Sequence, residues 1–210
     1  MEEEFYRIKR LPPYVFAEVN RLKADYRSKG VDIIDFGMGN PDMDTPSHIV
    51  EKLIQTVKKP RTHKYSSSKG ISGLRKAQAN YYERRFNVVL DPETEVIATL
   101  GSKEGLANLA MAITTPGDVM LVPNPSYPIH PYGFMIAGGT LRHIPTLHGG
   151  VFNPEEYMQT LSRAVSHSVP KPVAVVVSFP SNPTAQLCDL DFYCELVSFA
   201  KKHNLNNIAV

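Results

Sequence analysis

The run from Val173 to Val177, VAVVV, is five consecutive apolar residues, four of them β-branched. A strand wetted on one face alternates apolar and polar side chains, because successive Cβ atoms point to opposite faces. An unbroken run needs cover above and below, which is the situation of strands in parallel sheets with helices on both sides. The stretch DVMLVPN (118–124) has the same character, and shorter apolar stretches recur at VDIIDFG (31–37), EVIATLG (95–101) and TLRHIPT (140–146). Between them lie segments with helical spacing. SKEGLANLAMAI places Leu106, Leu109, Ala110 and Ile113 at i, i+3, i+4 and i+7.

Further helices are expected in PPYVFAEVNRLKADYRSKG, stopping at Gly30, and in SHIVEKLIQTVKK, with Thr45 as cap and Pro46 at the first helical position. SGLRKAQANYYERRF, with Leu74, Ala77 and Tyr81 on one face, reads the same way. So do YPIHPYGFMIAGG, PEEYMQTLSRAV and LDFYCELVSFAKKHN. Strand and helix alternate throughout, so the expected class is α/β with a largely parallel sheet covered on both faces. After the last helix the pattern calls for another apolar strand. The chain offers LNNIAV, where two Asn stand at the expected strand start, and the sheet reads as unfinished.

Composition narrows the function classes. The 42% hydrophobic content suits a packed core, and a formal net charge of +2 without a dense Lys/Arg block does not mark a nucleic-acid or anionic-membrane partner. No apolar run approaches the roughly 20 residues of a membrane span. The start, MEEEFYRIKR, is charged from its second residue and does not read as a secretory signal, which makes the cytoplasm the expected location. Cys188 and Cys194 lack further soft ligands nearby, so they read as reduced bystanders and no metal is expected.

Ligands of open α/β sheets bind beyond the carboxyl ends of the strands. Four loops there carry chemistry. LGSKEGL turns from a strand into a helix, so free N–H groups and the helix dipole at Ser102 suit a phosphate; an N-cap serine on a tight turn would read the same way. PNPSYP puts Tyr127 past a strand end, where its ring can stack on a planar group or cap the core. SFPSNPT holds Asn182 between Ser181 and Pro183, as an amide donor or a turn former. DFGMGNPDMDTP presents Gly39, whose N–H can meet a carboxylate, or which serves turn geometry alone. Neither GxxxxGK[ST] nor GxGxxG is present.

The order and spacing of GMGNPDMDTP, KYSSSKGISGLR, LGSKEGLANL, PNPSYP and SFPSNPTAQ resemble the class I/II pyridoxal-phosphate (PLP) aminotransferases, a likeness that runs to about residue 205. SNPTAQ, where many relatives have Gly after Thr, is most similar to the bacterial glutamate–pyruvate (alanine) aminotransferases, with aspartate and diaminopimelate aminotransferases close behind. The resemblance implies a PLP-dependent transferase of fold type I. Residues 1–40 would be an N-terminal arm with part of the small domain, and 41–210 a partial large domain with an incomplete, mostly parallel sheet. It assigns cofactor contacts to Tyr65, Ser102, Lys103, Tyr127 and Asn182, and substrate contacts to Gly39 and Tyr14. Ser102 and Lys103 would donate backbone N–H groups to the phosphate, Tyr127 would stack on the pyridine ring, and Asn182 would bond the ring oxygen. Tyr65 would reach the phosphate of a neighbouring subunit in a homodimer, and so should be exposed and far from Ser102 of its own chain. The resemblance also implies cis bonds at Asn124–Pro125 and Asn182–Pro183.

The Schiff-base lysine, the aspartate on the pyridine nitrogen and the anion-binding arginines of that family have no counterpart in these 210 residues; Lys69 and Lys103 do not match the lysine. No catalytic residue is therefore assigned. The chain reads as the N-terminal portion of such an enzyme, inactive alone, through truncation of the gene or of its record. The other reading is a non-catalytic remnant or binding module that keeps the PLP loops.

Overall fold

The computed structural model describes Phe5, Lys9, residues 11–37, Gly39 and residues 41–210. Two compact units divide the described chain, Pro12–Ala98 and a second that joins Thr99–Val210 with the described residues up to Leu11.

The first unit carries helices α1 (Val15–Ser28), α2 (Ser47–Val57) and α3 (Ser72–Phe86). Neither α1 nor α2 contains a buried residue, and α2 leaves Ile49, Leu53 and Val57 exposed. In α3 the expected face of Leu74, Ala77 and Tyr81 stays exposed; Arg75 and Ala79 are the buried pair. An arginine tolerates that position because three acceptors meet its guanidinium. Nε donates to Pro92 O (2.8 Å), and the two terminal nitrogens donate to Gly70 O (2.6 Å) and Glu93 Oε2 (2.6 Å). Two expected strands are absent: residues 31–36 and 95–99 form no ladder. Apolar character alone makes no strand; without a paired neighbour, Ile34 and Ile97 remain exposed. The cap of α2 is Pro46, one residue beyond the expected Thr45.

The second unit runs α4 (Ser102–Ile113), β1 (Val119–Asn124), α5 (Ile129–Ile136), β2 (Thr140–Pro145), α6 (Pro154–Ser166), β3 (Pro172–Val177), α7 (Leu190–His203) and β4 (Asn206–Ala209). All pairings are parallel, in the order β2-β1-β3-β4. Both faces are covered, as the unbroken apolar runs require. Leu121, Val175 and Val177 pack with Tyr157, Leu161, Phe192 and Leu196 of α6 and α7. Met120, Val122, Ala174 and Val176 point the other way, onto Leu106 and Ala110 of α4 and Phe134 of α5. Leu109, expected on the inner face of α4, is 40% exposed.

Local chemistry sets the helix ends. Asn153 Oδ1 accepts from Glu156 N–H (3.2 Å) ahead of Pro154, and Asp189 Oδ1 accepts from Phe192 N–H (2.9 Å). Lys201, Lys202 and His203 fill the last turn of α7, where positive charge suits the dipole. Asn204 closes it at φ 55°. The LNNIAV segment supplies the strand that follows the last helix. Asn206–Ala209 pairs with Ala174–Val177, with Ile208 buried, Asn206 and Asn207 exposed, and Asn206 Nδ2 donating to Val173 O (3.2 Å). Among the described residues β4 pairs on one side only, which leaves Asn206 and Asn207 in contact with water.

Among the described residues no helix is long and apolar enough to cross a membrane.

Candidate functional site

The strand order reverses at the centre of the sheet. From β1 the chain crosses to β2 on one side, then returns past β1 to β3 and on to β4. Such a switch point opens a crevice beyond the carboxyl ends of the two central strands. Here the opening begins inside the sheet. The β1–β3 register ends at Leu121–Val175, whereas β1–β2 runs on to Asn124–Pro145 and β3–β4 to Val177–Ala209. Pro123, which has no N–H to give, stands in β1 beyond the last β1–β3 pair.

Three loops meet at this end of the second unit. The turn into α4 has Gly101 at φ 90°, ψ 158°, a region open to glycine and costly to other residues. No side chain caps the helix at Gly101. Glu104, in the same turn, is drawn back to accept from Leu100 N–H (2.5 Å). Lys103 Nζ lies 5.3 Å from the Tyr127 ring centre, a cation–π distance. Tyr127 is half-buried, and His130 stands edge-on to it at 6.2 Å. His130, with Ser126, Thr146, Tyr157, Ser178 and Asn182, lines a small cavity at the tips of β1, β2 and β3. Ser102, Lys103, Tyr127 and Asn182 thus gather at one end of one sheet.

The Asn182 loop is braced on itself and on the core. Ser181 N–H donates to Gln186 O (2.9 Å), Ala185 N–H to Ser181 O (2.7 Å), and the Ser181 and Thr184 hydroxyls share a short hydrogen bond. Gln186 Oε1 accepts from Phe152 N–H (3.0 Å). Phe179 anchors the loop start between Phe152 (4.6 Å) and Phe192 (5.6 Å). Ala185 sits at φ 55°, in the position noted above as glycine in many relatives. Asn124–Pro125 and Asn182–Pro183 are cis, as expected; Val169–Pro170 and Phe179–Pro180 are cis as well.

Burial depresses the His130 pKa below the usual imidazole value, so the ring is neutral at pH 7. Burial pushes the Tyr157 phenol far upward and the Cys188 thiol up, which leaves Cys188 a poor nucleophile. The sequence pattern alone does not single out His130, Tyr157 or Thr146. His130 carried a signal in its place one helical turn after Tyr127; Tyr157 lies on a helix whose loop showed none.

Gly39, Tyr14 and Tyr65 belong to the first unit. Tyr14 precedes α1, half-exposed, with its ring 5.5 Å from Phe16. Tyr65 is fully exposed. Among the described residues, no atom stands within 4 Å of a Cβ built on Gly39, its two chain neighbours aside. Met38 and Asn40 of the same loop lie outside the described residues.

The family model for aminotransferase class I and II matches residues 31–208. The chain is 61% identical over 203 residues to the AatC protein of Rhizobium meliloti (strain 1021), covering 97% of this chain and 49% of that protein. It is 50% identical over 204 residues to the glutamate-pyruvate aminotransferase AlaC of Escherichia coli (strain K12), covering 97% and 48%. Among solved structures, a single mutant of Thermus thermophilus aspartate aminotransferase superposes with a TM-score of 0.86 at 30% identity, over all of this chain and 53% of that one. The chain spans about half the length of the curated relatives it matches.

Proposed function

The chain belongs to the class I and II aminotransferases, and on that premise we propose that it builds the cofactor seat of a PLP-dependent enzyme exchanging an amino group between an L-amino acid and a 2-oxo acid. The observation that carries this is the convergence of the Ser102–Lys103 turn, Tyr127 and the Asn182 loop on the switch-point crevice. These groups fit a phosphorylated planar heterocycle: N–H donors at a helix N-terminus for the phosphate, an aromatic face for the ring and an amide for a ring oxygen.

When bound, PLP supplies an electrophilic carbon and a ring that withdraws electrons from the amino acid's α-carbon. The residues of this chain orient and bind. Ser102 and Lys103 N–H groups hold the phosphate; Tyr127 fixes the plane of the ring; Asn182 Nδ2 donates to the ring oxygen. Gly39 N–H takes the substrate carboxylate, Tyr14 lines the substrate space, and Tyr65 serves the phosphate of a second subunit in a homodimer. Residues 1–40 act as arm and part of the small domain, and 41–210 as part of the large domain. Alanine or glutamate as donor, with pyruvate or 2-oxoglutarate as acceptor, is supported by the 50% identity to a glutamate-pyruvate aminotransferase. The working place is the cytoplasm.

These 210 residues alone would bind PLP weakly and not turn over, because no side chain in the site is matched to the covalent anchor. Purified chain with PLP, alanine and 2-oxoglutarate should release no pyruvate beyond free PLP, while Asn182→Ala and Tyr127→Ala should each weaken PLP binding in an equilibrium titration. Turnover lost on Lys103→Met would make that lysine catalytic and overturn the inactive reading. Unchanged PLP binding in both variants would overturn the site.

A further inference from the structure

The cavity at the tips of β1, β2 and β3 holds two buried polar atoms that the cofactor reading does not use. His130 is 2% exposed and Tyr157 1%, and both line the cavity. Neither His130 Nδ1 nor Tyr157 Oη has a hydrogen-bond partner among the described residues. Buried polar groups are almost always paired, because an unmade bond forfeits hydration without replacement. The two atoms come from different elements, α5 and α6, on opposite faces of the sheet.

The cavity offers about 10 Å³ to the centre of a water molecule, the scale of one ordered water. The wall is uncharged and mixed: Pro123, Pro125, Val177 and Phe179 stand beside Ser126, Ser178 and Ser181, and Thr146 Oγ1 donates to Asn124 O (3.2 Å). A neutral ligand that both donates and accepts is what such a wall takes. We propose that this cavity is a binding site for a single water, accepting from Tyr157 Oη–H and donating to His130 Nδ1.

The donor assignment follows from the protonation states. Burial keeps Tyr157 a neutral phenol, hence a donor, and keeps the imidazole neutral, so Nδ1 can accept when the proton resides on Nε2. Tyr157 thereby becomes a positioning residue. Through the water it fixes the tautomer and plane of His130, which stands edge-on to Tyr127. The inference needs only the geometry of this chain and does not rest on the transamination reading. A failed PLP titration therefore leaves it untouched.

The test is Tyr157→Phe in the full chain, with ¹⁵N NMR of the histidine rings and urea unfolding. Wild type should show His130 as a single Nε2–H tautomer with a hydrogen-bonded Nδ1 from pH 6 to 8. The variant should show a mixture of tautomers and roughly a tenfold smaller folding equilibrium constant, because His130 Nδ1 is stranded. An orphan hydroxyl gives the opposite result, since its removal is neutral or stabilising. Equal or higher stability of the variant, or unchanged His130 shifts, would overturn the proposal. A second measurement needs no variant. Wild type should give cross-relaxation between a long-lived water and the His130 and Tyr157 ring protons; a direct Tyr157–His130 bond would give none and would overturn it too.

Discussion

Arg75→Met isolates the clamp at the end of the first unit. Methionine keeps most of the stem volume and removes the guanidinium. Three acceptors then lose a donor: Pro92 O, Gly70 O and Glu93 Oε2. They are not equivalent. The Glu93 side chain is 57% exposed, so water replaces the arginine there and the pair contributes at most about 1 kcal/mol. The two carbonyls meet a guanidinium that is itself 7% exposed, and each costs about 1–3 kcal/mol if left dry. Taking about 1.5 for each carbonyl and little for the ion pair, the loss is about 3 kcal/mol, or roughly a hundredfold in the local opening constant. Hydrogen exchange reads this directly at Gly70 N–H, bonded to Ser67 O, and Ala98 N–H, bonded to Lys69 O. Both amides should exchange about a hundredfold faster by this estimate, while Val175 and Val176 in the other unit keep their protection. Glu93→Gln should change exchange by less than about fivefold. If Glu93→Gln matched Arg75→Met, the ion pair rather than the carbonyl clamp would hold the turn, and the reasoning would fail.

Phe192→Ala should destabilise the second unit by about 3–5 kcal/mol in urea unfolding, since the ring is 2% exposed and packs against Phe152, Tyr157 and Phe179; a loss under 1.5 would show that the aromatic cluster collapses to fill the gap. Ala185→Gly should stabilise by about 1 kcal/mol, because φ 55° strains an L side chain; destabilisation would mean that the unfolded-chain entropy of glycine dominates. The depressed His130 pKa sets a pH dependence. The unfolded state takes up the proton first, so this residue's contribution is complete above about pH 6.5 and declines as the pH falls towards the folded pKa. Compared with His130→Gln, wild type should lose extra stability on acidification, by at most about 1.4 kcal/mol per pH unit; parallel curves would refute the burial argument.

The second unit was legible because its strands pair with one another. VAVVV and DVMLVPN could be read as doubly covered strands, and Met120, Leu121, Val175 and Val176 are indeed fully buried on alternate faces. The first unit was less so. Residues 31–36 and 95–99 have strand composition, but a strand is a relation between two segments, and neither forms a ladder among the described residues. Arg75 was invisible for a related reason: its burial depends on carbonyls that only the folded turn brings together. LNNIAV shows little strand character because its pairing with Ala174–Val177 is a property of the sheet and not of the segment. Among site residues, those on loops with turn chemistry, such as Asn182 and Ser102, announced themselves. Tyr157 lies inside a helical pattern, where a hydroxyl at a core position looks like any other aromatic.

The early end of the β1–β3 ladder has a consequence for how such a chain can change. Each tip segment inherits its position from its outer neighbour, β2 for the residues after Asn124 and β4 for those after Val177. Among the described residues the β1–β3 register pairs nothing beyond Leu121–Val175. The two loops are therefore separable modules. Either can be lengthened, shortened or exchanged with that of a relative without disturbing the strand pairing of its opposite number, so recombination can sample new pocket linings one loop at a time on an unchanged sheet.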